Sequence, residues 1–404
     1  MEPKEPRARP PVARRVAAFG TTVFSEFSAL ALKHQAVNLG QGFPDFDGPD
    51  EVKDAAIKAI RDGVNQYAVG MGAPALRQSI AAHAQRFYGM RVDPDTMVTV
   101  TSGATEAIFD AIMGTVDPGD EVVLFEPFYD SYVASVEMAG GVPRFVRLRP
   151  PEPGRNAWWF DHSELEAAFS ERTRLVLVNT PHNPTGKVYS RDELLLIGEL
   201  CRRRGALVLA DEVYEHIVYA PAEHVRMATL PGMAERTITI SSSGKTFSFT
   251  GWKVGWAIAQ PQLRQAVQSV HQFVTFATAS PLQAAVAAAL RLPDPYFEDL
   301  AAMYRSKRDR LVRALNGCGL RTVPPEGSYF AMADIRPFGF PDDFEFCRHL
   351  TREVGVAAIP PSAFYGEAHR REGSAMARFA FCKTDEVLAA AEKRLAALRP
   401  RATS

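Results

Sequence analysis

The most informative stretch of this chain is Thr237-Ile238-Thr239-Ile240-Ser241-Ser242-Ser243-Gly244-Lys245. Its first four residues predict a short apolar strand, and small polar residues and a lysine follow directly. A second basic residue, Lys253, comes after a further aromatic and glycine-containing segment. The stretch therefore predicts a lysine amine presented at the end of a strand, beside hydroxyl groups that can hold an anion.

Three more apolar runs end in polar side chains in the same way. They are residues 97–100, 175–178 and 207–210. Ligands of open α/β sheets bind beyond the carboxyl ends of the strands. Strand and helix patterns alternate up to about Gln260, which indicates a mainly parallel sheet covered by helices. We therefore expect the four polar clusters to converge on one site.

The side chains of these clusters suit pyridoxal phosphate (PLP). The amine of Lys245 can form a Schiff base with an aldehyde, and an ionised Asp211 would keep a pyridine nitrogen protonated. The protonated ring then accepts electrons from a substrate carbanion. Tyr214 and Asn183 are placed to donate to the ring 3-oxygen. The phosphate is expected at a helix N-terminus, on the amides of Gly103, Ala104 and Thr105.

On these residues the chain resembles the class I/II aminotransferases, which are fold-type I PLP enzymes. The matching motifs are Asn38-Leu39-Gly40-Gln41-Gly42-Phe43-Pro44-Asp45, Asn65-Gln66-Tyr67, Asn183-Pro184-x-Gly186, Asp211-Glu212-x-Tyr214, Ser243-Gly244-Lys245, Gly251-Trp252-Lys253-x-Gly255 and Arg378-Phe379-x-Phe381. The resemblance runs from about Val16 to the C-terminal helix. It is greatest to the branch that contains kynurenine aminotransferase (glutamine transaminase K), methionine aminotransferase and N-succinyldiaminopimelate aminotransferase.

The resemblance implies an α/β fold in two parts, a large PLP-binding domain with a mainly parallel mixed sheet and a smaller α+β domain. We place the large domain at residues 49–290 and the small domain at residues 291–404. Residues 16–48 are expected to pack with the small domain, and residues 1–15 to form a flexible tail. The segment 24–50 is predicted to be rich in loops.

The resemblance also assigns roles to single residues. Lys245 would be the general base as well as the Schiff-base lysine, and Arg378 would clamp the substrate α-carboxylate. Ser242 and Lys253 would hold the phosphate. Tyr67 would reach the phosphate of the other subunit, which implies a homodimer with shared active sites. The remaining contacts are Tyr129 (or Phe128) on the cofactor ring, and Gly42, Asn183, Phe24 and Phe276 on the substrate.

Bulk properties narrow the class of protein. The 404 residues carry a formal net charge of −1, so nucleic acids and membrane surfaces are poor candidates for partners. Cys201, Cys318, Cys347 and Cys382 lack metal-ligand spacing, and we predict reduced thiols, a cytoplasmic location and no metal site. A nicotinamide dehydrogenase would need a Gly-x-Gly-x-x-Gly turn, which we do not find.

The preferred substrate is less sharply indicated. Aromatic residues around the substrate favour aromatic, sulfur-containing or glutamine-type amino donors in a ping-pong transamination. Phe24, Ala104 and Ala277 depart from the animal kynurenine enzymes. N-succinyldiaminopimelate becomes an alternative donor if a second cation, for which Arg144 is a candidate, faces the pocket. Cysteine-S-conjugate β-lyase activity is a further alternative, because it uses the same site.

Overall fold

A computed structural model describes residues 11–400 of the chain. Most of the predicted tail, residues 1–15, lies outside this range. The strands are β1 Val37–Asn38, β2 Val98–Thr101, β3 Glu121–Glu126, β4 Val142–Arg147, β5 Thr173–Asn179, β6 Leu207–Asp211, β7 Thr237–Ser242, β8 Gly255–Ile258, β9 Arg321–Thr322, β10 Phe330–Asp334, β11 Val356–Ala357 and β12 Met376–Ala380.

The helices alternate with these strands. They are α1 Val23–Lys33, α2 Asp50–Arg61, α3 Pro74–Tyr88, α4 Gly103–Thr115, α5 Ser131–Ala139, α6 His162–Ala168, α7 Arg191–Arg204, α8 Ser243–Thr246, α9 Pro261–Val274, α10 Ser280–Ala289, α11 Asp294–Gly317, α12 Asp343–His349, α13 Arg370–Gly373 and α14 Asp385–Leu395. Among residues 11–400, no helix combines the length and apolar character needed to cross a bilayer.

The central feature is a seven-stranded sheet in the order β2-β8-β7-β6-β5-β3-β4. β8 runs antiparallel to both of its neighbours, and every other pair is parallel. The predicted α/β class with a mainly parallel mixed sheet is therefore confirmed. Because β5, β6 and β7 are parallel neighbours, their carboxyl ends lie side by side at one edge of the sheet.

The sheet is buried on both faces. Along β3, Val123 and Phe125 join one apolar cluster with side chains of α7, whereas Val122 and Leu124 join another with side chains of α4 and α5. Alternate residues of a strand point to opposite faces. A strand covered on both faces reads as a continuous apolar run, which explains why these strands are recognisable in the sequence.

A smaller antiparallel sheet, β12-β10-β9, follows the long helix α11. Side chains of α11, among them Tyr304 and Leu311, pack in one apolar cluster with this sheet. The segment before α2 contacts the same region, because β1 pairs with β11. In addition, the Leu39 backbone amide donates to the Ala357 carbonyl, and the Leu39 carbonyl accepts from the Ala380 amide. The domain boundaries at residues 48 and 290 stay a prediction.

The structure differs from the sequence-based expectations in local detail. The loop-rich interpretation of residues 24–50 is wrong for its first third, because α1 occupies Val23–Lys33. The Thr22 side chain caps this helix by accepting a hydrogen bond from the Ser25 backbone amide. The predicted strand at Phe145–Leu148 begins earlier, at Val142, where β4 pairs with the first residue of β3.

Candidate active site

A cavity of about 330 Å³ lies at the carboxyl ends of β5, β6 and β7, against the N-terminus of α4. Its size suits a small-molecule ligand. Most of the predicted site residues line it together. They are Phe24, Gly42, Gly103, Ala104, Thr105, Tyr129, Asn183, Asp211, Tyr214, Ser242, Lys245, Lys253 and Arg378.

Lys245 lies in the short helix α8, directly after β7. Its Nζ is 3.4 Å from the carbonyl oxygen of Gly42. The centres of the Tyr214 and Tyr329 rings lie 5.8 and 5.9 Å from the same atom. Burial lowers the pKa of Lys245 to about 8, although the nearby Asp211 and Cys382 oppose the shift. A lysine of this kind holds a usable fraction of neutral, nucleophilic amine near neutral pH.

Asp211 ends β6 and is only 4 % exposed. Its Oδ2 accepts a hydrogen bond from the Tyr132 hydroxyl at 2.6 Å, and its Oδ1 accepts one from the Val213 amide at 3.3 Å. Burial raises the pKa of Asp211 to about 6, and the Tyr132 hydrogen bond works against that rise. Because both hydrogen-bond donors are neutral, the carboxylate suits a cationic ligand such as a protonated pyridine nitrogen.

The N-terminus of α4 and Lys253 form a cradle for an anion. Gly103 has a φ of +80°, and a Cβ placed there would lie 3.0 Å from Lys253 Nζ. A Cβ on Gly255 would lie 2.5 Å from the Gly103 carbonyl carbon, so the two backbones approach closely. The free amides of the first helical turn and the Lys253 ammonium therefore surround one space, which fits a phosphate group.

Arg378 lies on β12 with its guanidinium buried at the opposite side of the cavity. Nη1 donates to Asn183 Oδ1 at 3.0 Å and Nη2 donates to the Gly40 carbonyl at 2.7 Å, while the buried Nε has no hydrogen-bond partner among residues 11–400. The rings of Phe24 and Phe330 lie 5.0 and 4.4 Å from the guanidinium carbon. Burial lowers the pKa of Arg378 to about 10, so the group remains a cation at neutral pH.

Gly42 lies between these two ends of the cavity. Its carbonyl accepts a hydrogen bond from the Tyr329 hydroxyl at 2.7 Å, and a Cβ at this position would lie 2.6 Å from the Phe330 ring. A larger residue would therefore displace the segment or the ring. The Tyr214 ring meets the Tyr329 ring edge to face at 5.1 Å, and burial raises the pKa of Tyr214, which keeps its hydroxyl protonated.

Tyr67 and Phe276 do not line the cavity of their own chain. Tyr67 is 83 % exposed and Phe276 is 49 % exposed, yet their rings meet edge to face at 5.3 Å. Phe276 has a φ of +68°, which is unusual for a residue with a side chain. The two residues thus form one aromatic pair on the outside of the molecule. Phe276 is therefore not placed to contact a substrate in the cavity of its own chain.

Several residues of the cavity were missed in the sequence. Tyr132 lies in the first turn of α5, three positions after Tyr129, and the two rings meet edge to face at 5.6 Å. Asn179 ends β5 opposite Asp211, donates from its side chain to the Asp211 carbonyl, and accepts from the Asn183 amide. Asn179 directly follows the apolar run 175–178, so its position at a predicted strand end could have identified it as a site residue. Phe43, Thr250 and Phe330 also line the cavity and carry no comparable signal.

Two buried groups of histidine and carboxylate side chains lie apart from the cavity lining. One contains His83, Glu215 and His216, and the other contains Glu106, Asp110 and His271. Glu215 is paired with Arg226 and Ser241, and Glu106 with His271 and the Ser102 amide. The oxygen atoms of Glu215 and Glu106 are thus already engaged, whereas those of Asp110 have no hydrogen-bond partner among residues 11–400.

Known proteins resemble this chain along nearly its whole length. A kynurenine–oxoglutarate transaminase of Dictyostelium discoideum is 42% identical over 96% of this chain and 96% of its own. A probable N-succinyldiaminopimelate aminotransferase of Mycobacterium tuberculosis is 46% identical over 96% of this chain and 98% of its own. The solved structure of the enzyme of that name from that organism matches with a TM-score of 0.92 over 95% of this chain and 99% of its own.

A solved Escherichia coli structure described as having methionine aminotransferase function matches with a TM-score of 0.90 at 41% identity, over 98% of this chain and 100% of its own. The family described as aminotransferase class I and II matches residues 34–395. The match includes the lysine, the buried aspartate, the anion cradle and the arginine of the cavity. This chain is therefore a member of the class I and II aminotransferases, which use pyridoxal phosphate.

Proposed function

We propose that this aminotransferase moves the α-amino group of an aromatic, sulfur-containing or glutamine-type amino acid to a 2-oxo acid in a ping-pong reaction. The observation that carries the proposal is the apolar lining around Arg378. Phe24 and Phe330 lie against this arginine, and Phe43 also lines the cavity. Rings of this kind bind apolar side chains and the methylene stems of longer ones.

Each residue of the cavity has a task in this proposal. Arg378 binds the α-carboxylate of the donor in a bidentate fork, for which its Nε is still available among the described contacts. The side-chain amide of Asn183, which lies beside the guanidinium, adds a further contact to the carboxylate. Asp211 and Tyr214 hold the cofactor ring, and the α4 N-terminus, Ser242 and Lys253 hold its phosphate. Bound PLP supplies the electron sink that stabilises a carbanion at the substrate α-carbon.

Lys245 moves the proton. Its neutral amine would remove the proton from the donor α-carbon, hold it on Nζ and transfer it on within the cavity. Burial favours the neutral amine and keeps bulk water from exchanging the proton. Water would supply the carbonyl oxygen of the 2-oxo acid product, and the amino group would stay on the cofactor. A second 2-oxo acid would then take up that amino group and release the water.

An N-succinyldiaminopimelate aminotransferase is the second candidate, because the M. tuberculosis relative of that name is 46% identical over almost the whole chain. Such a donor carries additional carboxylates. Within residues 11–400, the charged side chains that line the cavity are Asp211, Lys245, Lys253 and Arg378. Arg144 is paired with Glu121 at 2.6 Å, at the start of β3 and away from the strand ends that form the cavity. The first candidate is therefore preferred.

β-Elimination from S-substituted cysteines remains a side activity of the same residues. Loss of the α-proton to Lys245 is common to both reactions, and the outcome depends on whether the β-carbon carries a good leaving group. Formation of pyruvate and ammonia from such a donor, without a 2-oxo acid acceptor, would reveal this activity.

We also propose a homodimer with shared active sites. Tyr67 and Phe276 form an exposed aromatic pair, and further exposed apolar side chains occur in the same two segments of the chain. These are Val64, Val69, Phe273 and Val274. The segments are joined by a hydrogen bond of 2.6 Å from Ser280 to the Gln66 carbonyl. A second copy would cover this apolar surface and receive Tyr67 in its own phosphate site.

A cytoplasmic location belongs to the same proposal. The four cysteines are free and buried, as expected for a protein that folds in a reducing compartment.

The test is a donor series followed by absorbance of the holoenzyme. Methionine, phenylalanine, glutamine and kynurenine should each bleach the yellow cofactor band, and a 2-oxo acid should restore it. N-succinyldiaminopimelate is the comparison donor, and Lys245→Ala is the control that should show neither change. A band that responds only to N-succinyldiaminopimelate would replace the first candidate by the second. A band that responds to no amino acid would contradict both.

A further inference from the structure

We infer that Tyr132 is a positioning residue of the cofactor site, whose hydroxyl holds the Asp211 carboxylate in its working orientation and in its ionised form. The inference rests on the proposed placement of Asp211 against the cofactor nitrogen. Tyr132 belongs to none of the motifs by which the sequence resembles the family. It would act on the cofactor through Asp211.

The geometry supports a specific hydrogen bond. Tyr132 is 2 % exposed and Asp211 is 4 % exposed, so water does not compete strongly for either group. The distance from the Tyr132 hydroxyl to Asp211 Oδ2 is 2.6 Å, which is typical of a hydroxyl donating to a charged carboxylate. Because a phenol donates a single hydrogen, this bond commits the whole donor capacity of Tyr132 to Asp211.

Asp211 is held at two independent points. The Asn179 side chain donates to its main-chain carbonyl at 2.9 Å, and Tyr132 donates to its carboxylate. The first contact comes from β5, a neighbouring strand, and the second from helix α5. Within residues 11–400 the carboxylate accepts two hydrogen bonds, of which only that of Tyr132 comes from a side chain, because the Val213 contact uses a backbone amide. Replacing Tyr132 therefore removes a hydrogen bond of the Asp211 carboxylate and leaves the Asn179 hydrogen bond to the Asp211 main-chain carbonyl in place.

The same short segment also aligns the face of the cofactor ring. The Tyr129 ring, which we place on that face, meets the Tyr132 ring edge to face at 5.6 Å. Tyr129 lies just before α5 and Tyr132 lies in its first turn. One structural element thus sets the ring plane through Tyr129 and the position of the ring-nitrogen partner through Tyr132.

The physical consequence follows from the charge of the acceptor. A hydrogen bond to the ionised form of a carboxyl group favours that form and lowers the pKa. Burial keeps the Tyr132 hydroxyl protonated, since its pKa is raised well above the usual range. Two charged groups also face Asp211: Lys245 favours its ionised form and Glu212 opposes it. Without the Tyr132 donor, Asp211 would take up a proton at higher pH and would bind a protonated pyridine nitrogen less tightly.

The experiment uses Tyr132→Phe and measures the dissociation constant of PLP from pH 5 to pH 9. A lost hydrogen bond to a charged group should weaken PLP binding about tenfold at pH 7. It should also move the acid midpoint of binding upward by about one pH unit, because one unit corresponds to the same tenfold change. Binding of PLP does not depend on the amino donor, so these results stand apart from the donor series.

Tyr189→Phe is the matched control. Tyr189 is a fully buried tyrosine whose hydroxyl finds no hydrogen-bond partner in the part of the chain that the structure describes, and it lies outside the cavity lining. Its replacement removes one buried hydroxyl and should leave both the dissociation constant and the midpoint unchanged.

A double-mutant cycle with Asp211→Asn separates the possible outcomes. If Tyr132 acts through Asp211, adding Tyr132→Phe to Asp211→Asn should produce much less than tenfold further weakening. Additive losses, or an equal loss at every pH, would overturn the inference. If Asp211→Asn alone leaves PLP binding unchanged, the assignment of Asp211 is what fails.

A second variant covers the case in which Tyr132→Phe does not fold. Fluorotyrosine incorporated at position 132 keeps the shape of the ring and makes its hydroxyl a stronger donor. The acid midpoint of PLP binding should then move downward. An unchanged or raised midpoint would contradict the inference.

Discussion

Arg378 and Asn183 are joined by a hydrogen bond of 3.0 Å from Nη1 to Oδ1, which connects β12 of the small sheet to the loop that follows β5 of the large sheet. The Asn183 amide is itself fixed by Asn179 Oδ1 at 2.7 Å. The position of the guanidinium is therefore set from both sheets before any substrate arrives. Such preorganisation favours a bidentate ligand of fixed geometry.

Arg378→Lys should lower kcat/KM for amino donors about a hundredfold, because a lysine cannot reproduce the fork and would leave Asn183 Oδ1 and the Gly40 carbonyl without their donor. PLP binding should be retained, since Arg378 lies away from the phosphate cradle. Steady-state kinetics with the absorbance of the holoenzyme measure both properties. Arg336→Lys is the control, at an exposed arginine that pairs with the buried Asp334. Equal kinetics for the two variants would contradict the clamp.

Lys245 should give the reconstitution of the enzyme a characteristic pH dependence. Only the neutral amine reacts with the aldehyde of PLP, and burial lowers the pKa of this amine to about 8. The rate of appearance of the cofactor band in the apo-protein should therefore rise up to about pH 8 and then level off. An ordinary lysine, with a pKa near 10.4, would show a rate that still rises at pH 9 to 10. That result would show that Lys245 is not held in a desolvated site.

The sequence indicated the large sheet well for a physical reason. β3, β5 and β6 are buried on both faces, so they read as continuous apolar runs, and the polar residues that follow them mark where each strand ends. The parallel order of β5, β6 and β7 then places Asn183, Asp211 and Lys245 at one edge. This part of the site required only strand ends and their neighbours.

Contacts between distant segments could not be predicted in this way. Phe24 and Phe330 contact Arg378 only because α1, β10 and β12 come together. Helix α1 was not predicted, because the rest of the segment 24–50 is rich in residues typical of loops. The exposed position of Tyr67 and Phe276 depends on how two loops meet. The periodicity of apolar residues and the spacing of motifs along the chain do not predict these contacts between distant segments.

The proposed dimer predicts that a charge on the exposed apolar surface separates the subunits. Phe273 is 86 % exposed and lies three residues before Phe276. Phe273→Asp should shift the protein toward monomer in light scattering and should reduce activity, because Tyr67 would no longer reach a partner's phosphate site. Leu32→Asp is the control, since Leu32 is 83 % exposed on α1, outside that surface. A Phe273→Asp protein that stays dimeric would place the interface elsewhere.

Asp110 should make the stability of the apo-protein fall as the pH rises. Its side chain is buried beside Glu106 and His271, and in the described part of the chain neither of its carboxylate oxygens has a hydrogen-bond partner. Burial and the charge of Glu106 raise the pKa of Asp110 to about 7, from 3.8 in the unfolded chain, although His271 acts in the opposite direction. The folded state therefore binds more protons than the unfolded state between these two values, and its free energy of unfolding decreases over that range.

Asp110→Asn removes this titration and should stabilise the protein by about 1–2 kcal/mol at pH 8, with little effect near pH 4. Urea unfolding of the apo-protein at the two pH values measures the difference. Asp54→Asn, at an exposed carboxylate of α2, should change neither value. If Asp110→Asn destabilises the protein at pH 8, the ionised carboxylate is stabilised by a partner rather than penalised by burial, and the triad with Glu106 and His271 is then a stabilising ion pair network.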